Sequence, residues 1–302
     1  MKAQGGARPD GRDMKTSIPM STALHQGATL LQELPTARRD AELLLLRAVG
    51  RDRAWLFAHP EATLESEQAR LYQEWLVRRS RHEPVQYIVG EQEFYGLKVR
   101  VTPEVLIPRP ETEHLVEALL RRVPRTALRV ADVGTGSGAI AIAVAHGLPQ
   151  AQVTALERST AALAVAQENA ELHGVAERIR FLKSDLLAAV RGESFNAIVS
   201  NPPYVADNEI LEAQVRLYEP REALYAGPTG LEVYRRLIPE ARQALVPGGW
   251  LMLEMGKGQR DAVAELLAPR TDGNGCATEW DEVEFAEDLQ GIPRVATARR
   301  SA

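Results

Sequence analysis

Asn201-Pro202-Pro203-Tyr204 brings together groups whose types and spacing can do chemistry. The tetrad follows an apolar run, Phe195 to Val199, that reads as a buried strand. Neither proline has an N–H to donate, so a strand ladder stops there. Pro202 also pushes Asn201 into an extended conformation. A rigid corner is expected at the C-terminal end of a strand, the edge where open α/β sheets bind ligands. The Asn201 amide oxygen and the Pro202 carbonyl can together accept both hydrogens of one –NH2 group. The Tyr204 ring can stack on a planar substrate, and Pro203 stiffens the corner between them. A simple Asn-Pro turn accounts for the same residues without any ligand, so the rest of the chain has to decide.

Three more features close apolar runs. Asp132-Val133-Gly134-Thr135-Gly136-Ser137-Gly138 follows a buried strand, Leu128 to Val133, and opens a helical pattern from Ala139 to His146. Its glycines let the backbone turn tightly and let a ligand approach closely. The spacing is G-x-G-x-G, not the dinucleotide G-x-G-x-x-G, and no Gly-Lys-Ser/Thr makes it a phosphate loop. Glu157 ends a strand that begins at Gln152, 19 residues after Gly138. A carboxylate there can accept both hydroxyls of a ribose; a strand-terminal surface glutamate is the alternative. Asp185 ends the run from Ile179 and precedes Leu186. That pair can take an adenine amino group and cover the ring, or Asp185 can cap a helix. All four features fall at C-terminal strand ends of one sheet, where a single cleft can collect them.

The elements that must position them follow from pattern. Strand and helix alternate after Pro124, with a helix from Ala161 to His173 and a strand from Trp250 to Met255. This predicts an α/β fold, a parallel sheet with helices on both faces, closed by strands near Glu279–Val283 and Arg294–Ala298. Residues 1–19, rich in glycine and charge, are expected to be a disordered tail. Residues 20–84 read as a small helical bundle: a helix from Ser21, another from Ala41 to Val49 ended by Gly50, a short one at Trp55-Leu56-Phe57, and one from Glu65 to Arg81. Arg70, Arg78, Arg79 and Arg81 on the last make either a solvated face or a partner-binding one. Residues 85–105, with Tyr87-Ile88-Val89 and Phe94 to Val99, read as a hairpin linker. Residues 106–302 form the second domain, opening with Leu106-Ile107-Pro108-Arg109-Pro110-Glu111-Thr112-Glu113; Glu111 or Thr112 is expected to begin its first helix.

Composition excludes several classes. The 302 residues are 45% hydrophobic, enough for a sizeable core, and the formal net charge is -5. That balance argues against a protein held mainly by a nucleic-acid backbone. Cys276 is the only cysteine, so no intrachain disulfide or thiolate cluster can form. The six histidines lack ligand spacing, and no metal site is expected. No apolar run reaches the ~18 residues of a membrane span, and the N-terminus lacks a signal-peptide core. A soluble cytoplasmic protein is the expectation.

A nucleoside-binding strand edge without an evident pyrophosphate or metal site, beside an amide clamp, resembles the class I S-adenosylmethionine-dependent methyltransferases, whose sheet is Rossmann-like. The tetrad narrows this to those that methylate a planar nitrogen. Longer stretches resemble the release-factor glutamine methyltransferase family (PrmC/HemK): Pro84-Val85-Gln86-Tyr87-Ile88-Val89-Gly90, Glu93 to Leu97, Leu106 to Glu113, Glu219-Pro220-Arg221-Glu222-Ala223-Leu224, and Asp288-Leu289-Gln290-Gly291-Ile292-Pro293-Arg294-Val295. The resemblance runs from about residue 21 to 300. Glu157 stands where Asp is more usual, and Leu186 where some members carry an aromatic residue. The resemblance implies N5-methylation of the glutamine of the Gly-Gly-Gln motif in peptide chain release factors, the proteins of translation termination. It implies S-adenosylmethionine held by Gly134, Thr135, Gly136, Ser137, Gly138, Glu157, Asp185, Leu186 and Asn201. It implies substrate held by Asn201, Pro202, Pro203 and Tyr204, with Asn201, Pro202 and Tyr204 catalytic, and Tyr95 and Arg109 lining the substrate pocket. The helical bundle is expected to recognise the release factor. No stable nucleic-acid partner and no membrane association are expected. The alternative is an adenine-N6 methyltransferase acting on DNA or RNA.

Overall fold

The computed structural model describes residues 18–268 and 280–301. Most of the expected tail, Cys276 and the Glu279 start of a closing strand therefore lie outside the described residues. The chain divides between Val89 and Gly90 into two compact units.

The first unit is helical: α1 Met20–Leu30, α2 Ala37–Val49, α3 Arg53–Ala58, α4 Ser66–Ser80 and α5 Val85–Val89. Local chemistry sets several of its boundaries. Gly50 ends α2 in the left-handed region at φ 65°, which glycine enters without a steric cost. The Asp52 carboxylate caps α3 by accepting from Trp55 N at 2.7 Å. Glu65 and Gln68 form a reciprocal capping box on α4. Leu31, Ala41, Leu44, Leu45 and Leu76 are fully buried in its core. Ile18 and Pro19, expected as the end of a disordered tail, are instead placed: Pro19 bridges Thr63, and Leu64 N donates to the Ile18 carbonyl. Of the arginine cluster, Arg70 meets Glu67 and Glu74, Arg78 meets Glu83, and buried Arg79 meets Asp40 at 2.7 Å.

Tyr87-Ile88-Val89, expected as a strand, is helical in α5. The Pro84 carbonyl accepts from both Tyr87 N and Ile88 N, starting a turn. Val85 and Ile88 then pack into the helical core, so burial overrides the strand preference of β-branched residues.

The second unit opens with an antiparallel hairpin, β1 Glu91–Phe94 and β2 Leu97–Arg100. A short 3-10 turn at Pro110–Thr112 leads into α6 Glu113–Arg122. Then come β3 Arg129–Val133, α7 Ala139–Gly147, β4 Gln152–Glu157, α8 Thr160–Leu172, β5 Ile179–Lys183, β6 Phe195–Ser200, β7 Val205–Ala206, α9 Ala213–Tyr218, β8 Tyr225–Gly227, α10 Glu232–Ala244, β9 Leu245–Glu254, α11 Arg260–Leu267, β10 Trp280–Glu287 and β11 Pro293–Arg300. Among the described residues, seven strands form one sheet in the order β10-β11-β9-β6-β3-β4-β5. The run β9-β6-β3-β4-β5 is parallel, whereas β11 and β10 join antiparallel. The chain runs outward from β3 through β4 to β5, then returns to β6 on the other side of β3. That reversal opens a crevice at the C-terminal ends of these strands. Two apolar cores, one on each sheet face, hold the platform rigid. No helix among the described residues is long and apolar enough to cross a membrane.

Candidate active site

A cavity of about 320 Å³ lies at the crevice. Gly134, Gly136, Glu157, Asp185, Leu186, Asn201 and Pro203 all face it, so the strand-end features read from sequence converge. The glycine turn hangs from β4, because Gly134 N and Thr135 N both donate to the Leu156 carbonyl, at 2.8 and 3.1 Å. A Cβ on Gly134 or Gly136 would meet nothing within 4 Å, whereas one on Gly138 would lie 3.1 Å from the Ala166 Cβ. The first two glycines therefore leave room for a ligand, and the third lets α7 and α8 pack closely.

Thr135, Ser137 and Gly138 do not line this cavity. The Thr135 hydroxyl donates to Asp132 at 2.6 Å, and the Ser137 carbonyl accepts from the Asn169 amide at 2.9 Å. Asp132 also accepts from Ala141 N at 3.1 Å, tying the turn to the first turn of α7. Burial pushes its carboxyl up to about 7, with the two hydrogen bonds opposing and Glu157 adding. The Asp132 Oδ1 is buried without a hydrogen-bond partner among the described residues.

Glu157 is held by both oxygens: Oε2 accepts from Gly136 N at 3.0 Å and Oε1 from Ser159 N at 2.9 Å. Each carboxylate oxygen keeps a second lone pair, so two adjacent hydroxyls can still be accepted. Asp185 pairs with Arg236 from α10 at 2.7 Å. Leu186 sits at φ 49°, a left-handed conformation costing a branched residue about 1–2 kcal/mol. The Ser184 hydroxyl fastens that turn, donating to the Leu186 carbonyl at 2.7 Å and accepting from Ala189 N at 3.0 Å.

A second cavity of about 310 Å³ lies beside the first, and Asn201, Leu106 and Ala223 line both. Tyr204 faces only the second and Pro203 only the first; Pro202 is buried and lines neither. The Asn201 Nδ2 donates to the Thr112 hydroxyl at 3.1 Å. The Pro202 carbonyl takes no hydrogen bond among the described residues. The Tyr204 hydroxyl donates to Glu254 Oε1 at 3.3 Å, and Gln259 holds the Tyr204 carbonyl at 2.9 Å. Burial, then the Glu254 charge, raises the Tyr204 phenol above its ordinary range, so it stays neutral. Arg109, Lys257 and Arg294 bring positive charge to this second cavity. Arg109 pairs with Glu219, which also accepts from Ile107 N at 3.1 Å. Arg294 pairs with Asp288 at 2.9 Å. Three stretches far apart in sequence, 106–113, 219–224 and 288–295, thus meet around one cavity or fasten residues that do. Tyr95 lines neither cavity; it sits in the hairpin turn between β1 and β2 against the core, and its N–H donates to Glu113 at 2.8 Å.

Family models match both units, a PrmC N-terminal domain over residues 22–90 and a methyltransferase small domain over residues 110–220. The release factor glutamine methyltransferase of Koribacter versatilis is 43% identical over 89% of this chain and 93% of its own. That of Geobacter sulfurreducens is 45% identical over 87% and 89%, and that of Xylella fastidiosa (strain 9a5c) 46% over 93% and 98%. The chain belongs to the release factor glutamine methyltransferase family. Such relatives do not favour the adenine methyltransferase alternative.

A release factor glutamine methyltransferase takes its methyl group from S-adenosylmethionine, and the first cavity suits that donor. Its open glycine backbone, the paired acceptors on Glu157 and the apolar Leu186 match a turn, a ribose and a flat base. One residue at the site carries little signal in the sequence. Arg236 lies on α10, a helix the sequence hides behind the internal Pro239. Glu254 did carry one: it closes an apolar strand, as Glu157 does, whereas Asp185 lies two residues past the end of β5.

Proposed function

We propose that this chain transfers a methyl group from S-adenosylmethionine to the side-chain nitrogen of the Gly-Gly-Gln glutamine of a peptide chain release factor. The observation that carries the reading is the Asn201 amide. Its NH2 end is held by Thr112, so its oxygen end remains to accept an N–H, and the residue stands between two cavities. In this reading the first cavity receives the cofactor and the second the glutamine. The cofactor supplies an electrophilic methyl on a sulfonium, with a neutral thioether as leaving group.

An amide nitrogen is a poor nucleophile because its lone pair is delocalised into the carbonyl. The Asn201 oxygen and the Pro202 carbonyl accept its two N–H bonds, which raises electron density on nitrogen and fixes its line of approach. Tyr204, neutral and anchored, packs on the flat amide. The bound cofactor would supply the methyl and keep the S–C electron pair on its sulfur, and the extra proton on nitrogen would pass to solvent, so this chain need supply no base. Glu157 holds the ribose, while Asp185 and Leu186 hold the adenine. The helical unit, residues 20–84 in the sequence reading, provides a surface for the release factor away from its glutamine. The protein works in the cytoplasm, without a stable nucleic-acid partner or a membrane.

Methyl transfer from labelled S-adenosylmethionine tests this. Purified release factor, the same protein with its Gly-Gly-Gln glutamine changed, and an adenine-rich oligonucleotide are compared. Label in the intact release factor alone is expected. Label in the oligonucleotide, or in the changed factor equally, overturns the reading.

A further inference from the structure

Gln259 opens α11 and its side chain reaches back to the corner. β9 ends at Glu254, and Gly256-Lys257-Gly258-Gln259 turns the chain into the helix. The turn is closed twice. Gln259 N donates to the Gly256 carbonyl at 3.2 Å, and Gly256 N donates to Gln259 Oε1 at 2.9 Å. Gly258, third in the turn, sits at φ 84°, a conformation that suits glycine. With the oxygen taken by Gly256, Nε2 is left to the corner. It donates to the Tyr204 carbonyl at 2.9 Å and to the Gly230 carbonyl at 3.4 Å.

A primary amide can be turned by half a rotation with almost no change of shape. Here only one orientation fits, because a backbone N–H only donates and the two carbonyls only accept. One side chain thereby joins the corner, the turn at Gly230 and the start of α11.

The same amide bears on Tyr204 from a second side. A Cβ on Gly256 would lie 3.0 Å from Tyr204 Cδ2 and 2.9 Å from Gln259 Oε1. The ring therefore lies against the bare face of Gly256, the residue whose N–H Gln259 holds. The Tyr204 hydroxyl, at the far end of the ring, is fixed by Glu254 at 3.3 Å. We propose that Gln259 is a positioning residue: its amide sets the place of the Tyr204 ring in the second cavity, holding the Tyr204 carbonyl with one end and the Gly256 surface against the ring with the other. Both of its N–H bonds are committed to the fold, so it acts through Tyr204. The catalytic consequence rests on the reading of Tyr204 as the ring that packs on the substrate amide.

Gln259→Glu, Gln259→Met and Gly256→Ala separate placement from mere support. Gln259→Glu keeps the shape and the acceptor for Gly256 N, but sets a charged oxygen against two carbonyls. Near about pH 8 its kcat should fall by about tenfold or more, with cofactor affinity within about threefold of wild type. A protonated carboxyl can donate again, so its kcat relative to wild type should recover as pH falls to about 5.5. Arg109, Glu209, Lys257 and Arg294 line the same cavity, and Glu254 faces Tyr204; all are common to both proteins, so the ratio sets their own titration aside. Gln259→Met should lose kcat without that recovery. Gly256 is not left-handed, so Gly256→Ala displaces the ring without backbone strain and should also lose kcat. Wild-type kcat near about pH 8 in any of the three, or a Gln259→Glu ratio that is constant with pH, overturns the proposal. A second readout needs no turnover: the ring resonances of Tyr204, identified by their loss in Tyr204→Phe, recorded on the cofactor-free protein. They should move in Gln259→Glu near about pH 8 and return toward wild type near about pH 5.5. Identical ring signals in wild type and Gln259→Glu near about pH 8 overturn the positioning role whatever the substrate proves to be. Failure of wild type to label the release factor, with these signals as expected, would instead remove the proposed function.

Discussion

A strand-end carboxylate serves a ligand only if its lone pairs are not exhausted by the fold, and Glu157 meets that condition. Its two oxygens accept one backbone N–H each, which aims the group and leaves one acceptor site on each oxygen. Glu157→Ala removes the acceptors and frees the Gly136 and Ser159 amides, so cofactor affinity should fall by at least about tenfold, near 1.4 kcal/mol. Titration calorimetry giving the wild-type affinity would remove its ribose role. Asn201 behaves oppositely, since it touches both cavities but its NH2 end is tied away from the cofactor. Asn201→Ala should bind cofactor within about threefold of wild type yet lose turnover by about a hundredfold or more, the scale of a lost transition-state contact. Equal kcat would sink the clamp. These two residues were legible in sequence because each is a polar group closing an apolar run. Thr112 was not legible as a site residue. It stood inside a recognisable stretch, but its partner lies 89 residues away, and nothing local announces such a bond.

At the scale of elements, the strands announced themselves and the packing around them did not. Buried parallel strands are continuous apolar runs, so β3, β4 and β6 could be read with their ends. α10 carries Pro239 in its interior, a residue that normally breaks helices; with it the sequence concealed Arg236, which meets Asp185. The turn after β8 was equally silent. Gly230 sits at φ 75°, and a Cβ there would stand 2.5 Å from the Tyr204 carbonyl and 3.2 Å from Ala206 N. That turn presses on the backbone of the Asn201–Tyr204 corner from outside. Gly230→Ala adds left-handed strain to a backbone clash, and should lower the unfolding free energy by about 2 kcal/mol or more. Because the displaced atoms belong to Tyr204, kcat should fall as well. Denaturant titration and steady-state rates check both; wild-type stability with wild-type kcat would show that the turn yields without cost.

For the molecule as a whole, two buried carboxyls set how stability depends on pH. Asp132 and Glu254 both have carboxyls pushed up to about 7, by burial first. In the unfolded chain they titrate near their ordinary values, so between about pH 4 and 7 the folded state binds more protons than the unfolded one. Stability from these two groups is complete below that window, declines as pH rises through it, and is gone above about 7. Glu193, Glu232 and Asp288 are held below the usual carboxylate range, so their contributions are present above that range and lost only as pH falls through their lowered values. His146, lowered by burial and by His173 and Arg178, opposes the carboxyls as pH falls, but it is one partly exposed ring against two buried groups. The urea midpoint should therefore be higher near about pH 6 than near about pH 8. Glu254→Gln removes one of the two titrations and the burden of an ionised buried group, so it should flatten the slope and stabilise the protein near about pH 8. A flatter pH slope with a higher midpoint near about pH 8 is the expected signature. Equal midpoints at the two pH values would show that burial does not hold these protons.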